Sequence, residues 1–391
     1  MNGKLPIATP DRWLALDALR GLSVIGMVLS LTPGAWEHQF QPLVHVKWQG
    51  WHLIDMVSPT FLFCVGAALP LSIASRLRAG ASRRQVGGHI LLRALALVVI
   101  GILLGAYPHF DWPRVRLPGV LQRIGVCYAL VGLWLLATAR WRNGQRIAFR
   151  LPLLAVSALA LFLAYWGLLA LVPVPGFGAP RFDPVGSWPA YVDRSVFTVA
   201  HLFPYWPVDG QVVFDPDGLV SCLSCSVTVL LGALTALLRQ RLAPPGLIPA
   251  LLAAGGVLMA GGLLLDPVYP IVKNIWTGSF VLFSAGFSLF MLAAVSVLLT
   301  RPTGAALLFP ARVYGSNPTL VYITLFLSAP LLDLAWLDGP NGPVGLRYGS
   351  QPPLQPLVGD NGASLLFAIA FTTALFLALR VCYRRRWFLK L

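Results

Sequence analysis

Long apolar runs separated by short polar connections dominate the pattern of this chain. A helix needs about 20 apolar residues to cross a bilayer, where it satisfies its own backbone hydrogen bonds. Ten such runs predict ten membrane-spanning helices, near residues 13–31, 53–75, 89–107, 117–139, 151–172, 218–238, 247–265, 275–299, 313–334 and 362–383. Because most connections are short, we expect one all-α bundle over residues 1–391, an integral membrane protein.

Two connections are longer, residues 173–217 and 335–361, and both are rich in proline, glycine and aromatic residues. Such loops often carry functional residues, although a lid that merely covers the bundle has the same composition. The first apolar run contains Asp17 and Arg20, and no small-residue cleavage site follows it. We therefore expect it to remain as a helix and not to be removed as a signal peptide.

Composition and charge agree with this interpretation, since 57% of the residues are hydrophobic and only 11% are charged. The net charge of +15 suggests nucleic acid at first sight, but the basic residues fall almost entirely on one side of the ten-span bundle. That side, which includes Lys4, Arg12, Arg239 and Lys390, is cytoplasmic by the positive-inside rule, and both termini lie there. Anionic membrane lipid is then the expected partner, and nucleic acid is not.

The cysteines do not indicate a metal site. Cys222 and Cys225 have the spacing of a metal-binding pair, but no second pair or histidine pair completes a site. We interpret them as packing residues of an apolar helix and predict no metal.

Polar residues at membrane depth are costly, so each is a candidate for function. One group lies at the starts of alternate helices, on the predicted extracytoplasmic side: His45, Asp55, Arg123, Asp215, Asp217, Lys273 and Asn274. If these helix starts converge, they form a polar chamber whose helix N-termini favour negative charge. A structural ion pair between Asp55 and Arg123 is an alternative, and helix capping is the leading interpretation of the two aspartates in "FDPDGL".

A smaller polar group lies near the predicted cytoplasmic side. Asp17 and Arg20 are spaced i, i+3 and can pair on one helix face. Asn317 precedes Pro318 in "YGSNPTLVYI", where proline is expected to break the helix. That break either lines a ligand cavity or is only a kink.

The segment "HVKWQGWHLID", from His45 to Asp55, is the most polar border of any predicted helix. A histidine has a pKa close to neutral, so at a polar chamber it is suited to general-base chemistry. Composition alone slightly favours the alternative, an interfacial histidine in an aromatic belt with Trp48 and Trp51.

Six collinear segments resemble the heparan-α-glucosaminide N-acetyltransferase family. They are "LDALRGLSVIGMV", "HVKWQGWHLIDMVSPTFLFCVGAALPLS", "RVRLPGVLQRIGVCYAL", "FDPDGLVSCL", "VKNIWTGSFVLFSAGFS" and "YGSNPTLVY". The resemblance implies a transmembrane acyltransferase that takes an acetyl group from cytoplasmic acetyl-CoA and delivers it to an amino sugar across the membrane. It also implies a homodimer and, without a large lumenal domain, a bacterial inner-membrane protein.

The resemblance also implies residue roles. The family's essential histidine corresponds to His45, with Trp48, Gly50 and Asp55 in register, whereas His52 does not match. One position departs from the family, because "SLTPGAW" carries Leu31 where a segment like "VNNPGSW" has asparagine; Thr32 or Ser30 are possible substitutes.

The leading hypothesis is acetyl transfer, with acetyl-CoA as co-substrate and a glycan or amino sugar as acceptor. His45 acts as the base or accepts the acetyl group itself, and Asp55 orients it. Substrate and donor contacts are assigned to Trp48, Arg123, Lys273, Asn274, Arg20 and Asn317. A permease for amino sugars or their N-acetylated forms is the alternative, and an inactive structural protein is a third.

Overall fold

The computed structural model describes residues 13–142, 146–339 and 342–389, so the predictions for Lys4, Arg12 and Lys390 lie outside it. The described chain is mainly helical. Its helices are α1 Leu14–Leu31, α2 Val57–Arg78, α3 Arg83–Ala106, α4 Val120–Thr138, α5 Leu151–Leu171, α6 Trp188–Phe197, α7 Ser221–Arg239, α8 Pro244–Leu265, α9 Gly278–Leu298, α10 Pro302–Leu307, α11 Phe309–Ser316, α12 Pro318–Asp333, α13 Leu346–Gly349 and α14 Gln355–Arg385.

Two antiparallel hairpins are the extended elements of the described residues. β1 Arg140–Arg142 pairs with β2 Arg146–Ala148, and β3 Ala335–Gly339 pairs with β4 Gly342–Gly345. The first hairpin joins α4 to α5, and the second lies between α12 and α13.

Nine helical segments of the described chain are long and apolar enough to cross a membrane: α1, Leu53–Arg78 with α2, α3, α4, α5, α7, Pro245–Leu265 of α8, α9 and α14. The predicted all-α polytopic membrane fold is confirmed. The predicted span 313–334 differs, because α11 ends at Ser316 and the apolar helix α12, with 16 residues, begins at Pro318. Proline has no N–H to donate and its ring clashes with the preceding turn, so the predicted break occurs here.

The centre of the bundle is α7, which contacts α2, α4, α5 and α9. Cys222 and Cys225 are buried in this core, and no cluster of three metal-ligating side chains occurs in the described residues. Glycines allow the backbones of α1 and α11 to approach each other closely. A Cβ at Gly21 would lie 1.6 Å from the carbonyl oxygen of Ala311, and one at Gly315 would lie 2.1 Å from that of Asp17.

The two long connections are structured in their described residues. Residues 173–217 contain α6, and residues 335–361 contain the second hairpin, α13 and the first turns of α14. Gly359, with φ of 71°, separates those turns from the rest of α14. Their assignment to the extracytoplasmic side stays a prediction.

Candidate active site

His45, Asp55 and Lys273 form a compact polar triangle. His45 Nδ1 lies 2.7 Å from Asp55 Oδ1, and Lys273 Nζ lies 2.9 Å from the same oxygen and 2.7 Å from His45 Nδ1. Asp55 is completely buried, while Lys273 is 13% exposed and His45 is 32% exposed. A buried carboxylate is therefore paired with a cation and a histidine that still reaches solvent.

The turn between His45 and Asp55 fixes the carboxylate. Asp55 lies in a short 3₁₀ turn, Leu53–Met56, directly before α2. Its second oxygen accepts hydrogen bonds from the backbone N–H groups of His52, at 2.8 Å, and Val46, at 3.2 Å. The His52 side chain bonds the carbonyl of Val44 at 2.6 Å, so this histidine shapes the turn that presents His45.

Lys273 reaches the triangle through backbone pairing between two distant segments. The Gly50 N–H donates to the Ile271 carbonyl at 2.8 Å, and Gln49 pairs antiparallel with Val272. Gly50 has φ of 96°, a conformation that glycine adopts without a steric penalty. Asn274 completes the connection by donating from Nδ2 to the Lys47 carbonyl at 2.9 Å.

Burial and charge set the protonation of the triangle. Burial and the neighbouring Lys273 lower the pKa of His45, against the opposing effect of Asp55. Burial also lowers the pKa of Lys273, although Asp55 favours its charged form. His45 is thus mainly neutral at pH 7. Because Nδ1 faces the other two groups, Nε2 is the nitrogen available to a substrate.

A second charged group, which we call the arginine–aspartate cluster, consists of Arg116, Arg123, Asp215 and Asp217. Arg116 binds Asp215 through two nitrogens at 2.8 and 2.5 Å, and it binds Asp217 at 2.9 Å. Arg123 Nη1 lies 3.3 Å from Asp217 Oδ1. Burial opposes ionisation of Asp217, but the two arginines outweigh it and lower the pKa of this carboxyl.

Trp276 connects the arginine–aspartate cluster to the triangle. The Arg123 guanidinium lies 4.8 Å from the centroid of the Trp276 ring, and the backbone N–H of Trp276 donates to the Lys273 carbonyl at 2.9 Å. The same arginine donates to Ser221 Oγ at 2.8 Å and to the Pro216 carbonyl. The starts of α2, α4, α7 and α9 therefore meet, which is the condition under which their polar residues were expected to form one group.

Two alternative interpretations from the sequence are wrong. Asp55 pairs with Lys273 and His45, while Arg123 pairs with Asp217, so the two do not form the predicted ion pair. Asp215 and Asp217 do not cap α7, whose N-cap is Val220 and has no side-chain cap hydrogen bond. Their carboxylates bind arginines instead.

The remaining predicted site residues have mainly intramolecular partners. The Trp48 indole N–H donates to the Phe182 carbonyl at 2.8 Å, and its ring packs on Phe214 with centroids 5.0 Å apart. Arg20 binds Asp17 at 2.9 Å, as its spacing predicts, and binds the Gly315 carbonyl. Asn317 bonds the backbone of residues 387 and 389.

Arg20 and Asn317 are therefore not brought together with His45, which follows the opposite end of α1. The segment that departs from the family is also internally bonded. Leu31 packs among apolar side chains, and the Thr32 hydroxyl donates to the Val28 carbonyl at 2.8 Å. The Ser30 hydroxyl donates to the Met27 carbonyl at 3.0 Å.

Sequence reasoning missed Arg116 and Trp206. Arg116 lies in the quoted segment "RVRLPGV" but outside a helix, so the cost of charge at membrane depth did not single it out. Trp206 lies in the long connection 173–217, yet its ring centroid is 6.3 Å from that of His45. The sequence feature that could have identified Trp206 is an aromatic residue in a connection that also contains polar residues.

The sequence is similar to that of a known protein family. Residues 12–177 match the family described as "Heparan-alpha-glucosaminide N-acetyltransferase, catalytic". The predicted family resemblance is confirmed. The matched region contains His45, Asp55, Arg116 and Arg123, but not Lys273.

Two curated relatives of this family are named heparan-alpha-glucosaminide N-acetyltransferase. The human protein is 27% identical over 360 residues, and the mouse protein is 26% identical over the same length. Each alignment covers 81% of this chain and 53% of the relative. The chain thus spans about half the length of the curated relatives it matches.

Proposed function

We propose that the protein is a membrane-bound acetyltransferase, which moves an acetyl group from cytoplasmic acetyl-CoA to an amino sugar or related glycan on the other side of the membrane. The observation that carries this proposal is the His45–Asp55 contact of 2.7 Å, with Lys273 on both groups. His45 and Asp55 both lie in residues 12–177, the region that matches the catalytic model of the family. A bacterial inner-membrane location and cytoplasmic termini belong to the same proposal.

In the direct route, His45 Nε2 removes a proton from the acceptor amine as its nitrogen attacks the thioester carbonyl carbon. The C–N bond forms, the C–S bond breaks, and the proton passes from His45 to the sulfur of CoA. This route uses the tautomer that carries its proton on Nδ1, in which Asp55 accepts from both Nδ1–H and Lys273, so that the lone pair stays on Nε2 and the imidazolium that forms is stabilised. In the alternative route, Nε2 itself accepts the acetyl group before the amine does.

Lys273 is the best-supported group for stabilising the negative oxygen that develops on the thioester carbonyl. Its ammonium lies against His45 and carries three N–H donors, of which Asp55 uses one. Arg123 is less suited because it is 3% exposed and bonds Asp217, Ser221 and the Pro216 carbonyl. Asn274 donates to Lys47, so we assign it to holding the two segments together.

The test is transfer of labelled acetyl from acetyl-CoA to a panel of amino sugars by purified protein in vesicles. We expect His45→Ala to reduce the rate by about 100-fold or more, because it removes the proton acceptor. His109→Ala, at an exposed position of the α3–α4 connection, serves as the matched control and keeps the rate. Equal background rates in wild type and His45→Ala would refute the enzyme proposal.

Two further readouts separate the remaining possibilities. Rapid acid quenching followed by peptide mass spectrometry detects an acetyl group on His45 if the two-step route is used. Sugar uptake into vesicles without any acyl donor would instead support the permease alternative.

A further inference from the structure

An aromatic segment of the long connection 173–217 lies beside His45. It consists of Phe203, Pro204, Tyr205 and Trp206, and we call it the aromatic segment. The Trp206 ring contacts the His45 ring edge-on, with centroids 6.3 Å apart and planes inclined by 74°. The Phe203 ring lies edge-on to both Trp206, at 5.5 Å, and Tyr205, at 5.3 Å.

The aromatic segment is held in place from two sides. The His201 carbonyl accepts a hydrogen bond from the Leu117 N–H at 3.0 Å, and the His201 Nδ1 lies 2.7 Å from the Val115 carbonyl. The guanidinium of Arg116, which follows Val115, lies 4.5 Å from the centre of the Phe203 ring. On the other side, Trp206 packs against the cluster that contains Val213 and Phe214. The position of Trp206 next to His45 is thus fixed by the fold.

The surroundings of the aromatic segment combine apolar faces with charged groups. Trp206 and Phe203 are half-buried, and Tyr205 is 77% exposed. Arg116 joins Phe203 to the carboxylates of Asp215 and Asp217. Asp217 is also near enough to His45 and Lys273 for its charge to act on both. An aromatic belt that anchors the protein in lipid does not require these polar neighbours.

Aromatic faces beside hydrogen-bonding side chains suit one chemical class of ligand. A pyranose presents an apolar face of C–H groups, which packs on an aromatic ring, and a rim of hydroxyl groups, which bond charged side chains. A small aliphatic amine uses neither feature. The site next to His45 is therefore suited to a sugar ring and not merely to an amine.

We propose that the aromatic segment, with Trp206 as its main contact, is the subsite that binds the pyranose ring of the acceptor. Arg116, which at 24% exposed is the most accessible member of the arginine–aspartate cluster, then bonds the ring's hydroxyl groups, and the amine faces His45 Nε2. Trp206 determines acceptor specificity in this arrangement and takes no part in proton transfer. The inference rests on the proposed function in treating the bound sugar as the acetyl acceptor. Binding of the sugar at this site can be tested without catalysis.

The test measures binding of glucosamine, N-acetylglucosamine and the non-sugar amine ethanolamine to detergent-purified protein by calorimetry. We expect Trp206→Ala to weaken sugar binding by about tenfold, because it removes a stacked ring face. Trp206→Phe keeps a ring and is expected to lose only about twofold to threefold. Trp112→Ala is the matched control, since Trp112 is 52% exposed on the α3–α4 connection; its affinity should equal wild type.

Thermal unfolding checks that each variant is folded, and Trp206→Phe carries the comparison if Trp206→Ala is not. Sugar affinity that is unchanged in both folded variants overturns the inference, as does an equal loss in Trp112→Ala. Sugar binding that depends on Trp206 without any acetyl transfer supports the subsite and refutes the enzyme. Transfer to sugars with a KM that does not respond to Trp206 refutes the subsite and leaves the enzyme standing.

Discussion

At the scale of single residues, Lys273 has two effects on the triangle that act in opposite directions on His45. Its positive charge lowers the pKa of the imidazole, while its contact with Asp55 stabilises the carboxylate that orients the same ring. A general base works best when it is neutral at the working pH and still basic enough to take a proton. Lys273 moves His45 toward the neutral form.

The pH dependence of acetyl transfer tests this effect. Activity requires neutral His45, so the rate falls as pH decreases through its pKa, which lies below 6.5. Lys273→Met removes the neighbouring cation, so the His45 pKa rises and the acidic limb of the profile moves to higher pH. Residual transfer activity and the rate of His45 modification by diethyl pyrocarbonate both measure this shift.

Lys47→Met is the control for that experiment, because Lys47 is an exposed lysine only two residues from His45. Its pH profile should coincide with that of the wild type. An acidic limb that stays in place in Lys273→Met would show that the lysine does not act on the histidine charge.

At the scale of elements, the crossing of α1 and α11 depends on backbones that touch. No side chain fits at Gly21, where a Cβ would lie 1.6 Å from the Ala311 carbonyl oxygen. α11 ends directly before the break at Asn317, and Arg20 binds the Gly315 carbonyl at this end. The close crossing therefore supports the point where the helix is interrupted.

Gly21→Ala should lower stability by about 1–3 kcal/mol, because the added methyl group forces α1 and α11 apart. Gly88→Ala is the matched control, since Gly88 lies on an exposed face of α3 with open space where its Cβ would be. It should be neutral or stabilise by up to about 1 kcal/mol, because alanine favours the helix. Thermal unfolding in detergent compares the two, and equal midpoints would contradict the crossing.

Elements were more predictable from the sequence than side-chain partners. Hydropathy identified the membrane helices because each one buries its apolar surface in lipid or in its neighbours, and Pro318 marked the break because proline acts locally. The alternative ion pair between Asp55 and Arg123 was wrong, because Arg123 pairs with Asp217, whereas Asp55 does contact His45, the residue it was expected to orient. Asp55 and Lys273 are 218 residues apart, and a sequence pattern does not measure which helix starts meet.

At the scale of the whole molecule, the connection 173–217 is attached to the bundle through Asp193 of α6. This side chain is fully buried and accepts a hydrogen bond from the Leu219 N–H at 2.9 Å, next to the start of α7. Burial raises the pKa of Asp193 to about 7, and the nearby Asp215 adds to this effect. The hydrogen bond from Leu219 and the charges of Arg123 and Arg194 act in the opposite direction.

This raised pKa predicts how stability depends on pH. The folded protein holds the Asp193 proton up to about pH 7, whereas an unfolded aspartate loses it near 3.8. The protonated Asp193 therefore makes its full contribution to folding stability below the pKa of the unfolded chain. This contribution is lost as the pH rises toward and through the pKa of the folded protein. We expect the unfolding temperature to decrease from pH 5 to pH 8 for this reason.

Asp193→Asn cannot ionise, so its unfolding temperature should decrease less than that of the wild type over the same pH range. Asp360→Asn, at an exposed position, controls for the loss of one negative charge. A wild-type slope that is retained in Asp193→Asn would assign the pH dependence to other groups.

The Lys273–Asp55 contact also has a consequence for biogenesis. Asp55 lies directly before α2, and the lysine that pairs with it lies 218 residues later, directly before α9. Without that later segment, the early helices hold a carboxylate without its cation, and breaking a buried ion pair typically costs about 3–5 kcal/mol. We therefore expect the ion pair to favour the complete bundle over a chain whose later helices have not yet packed.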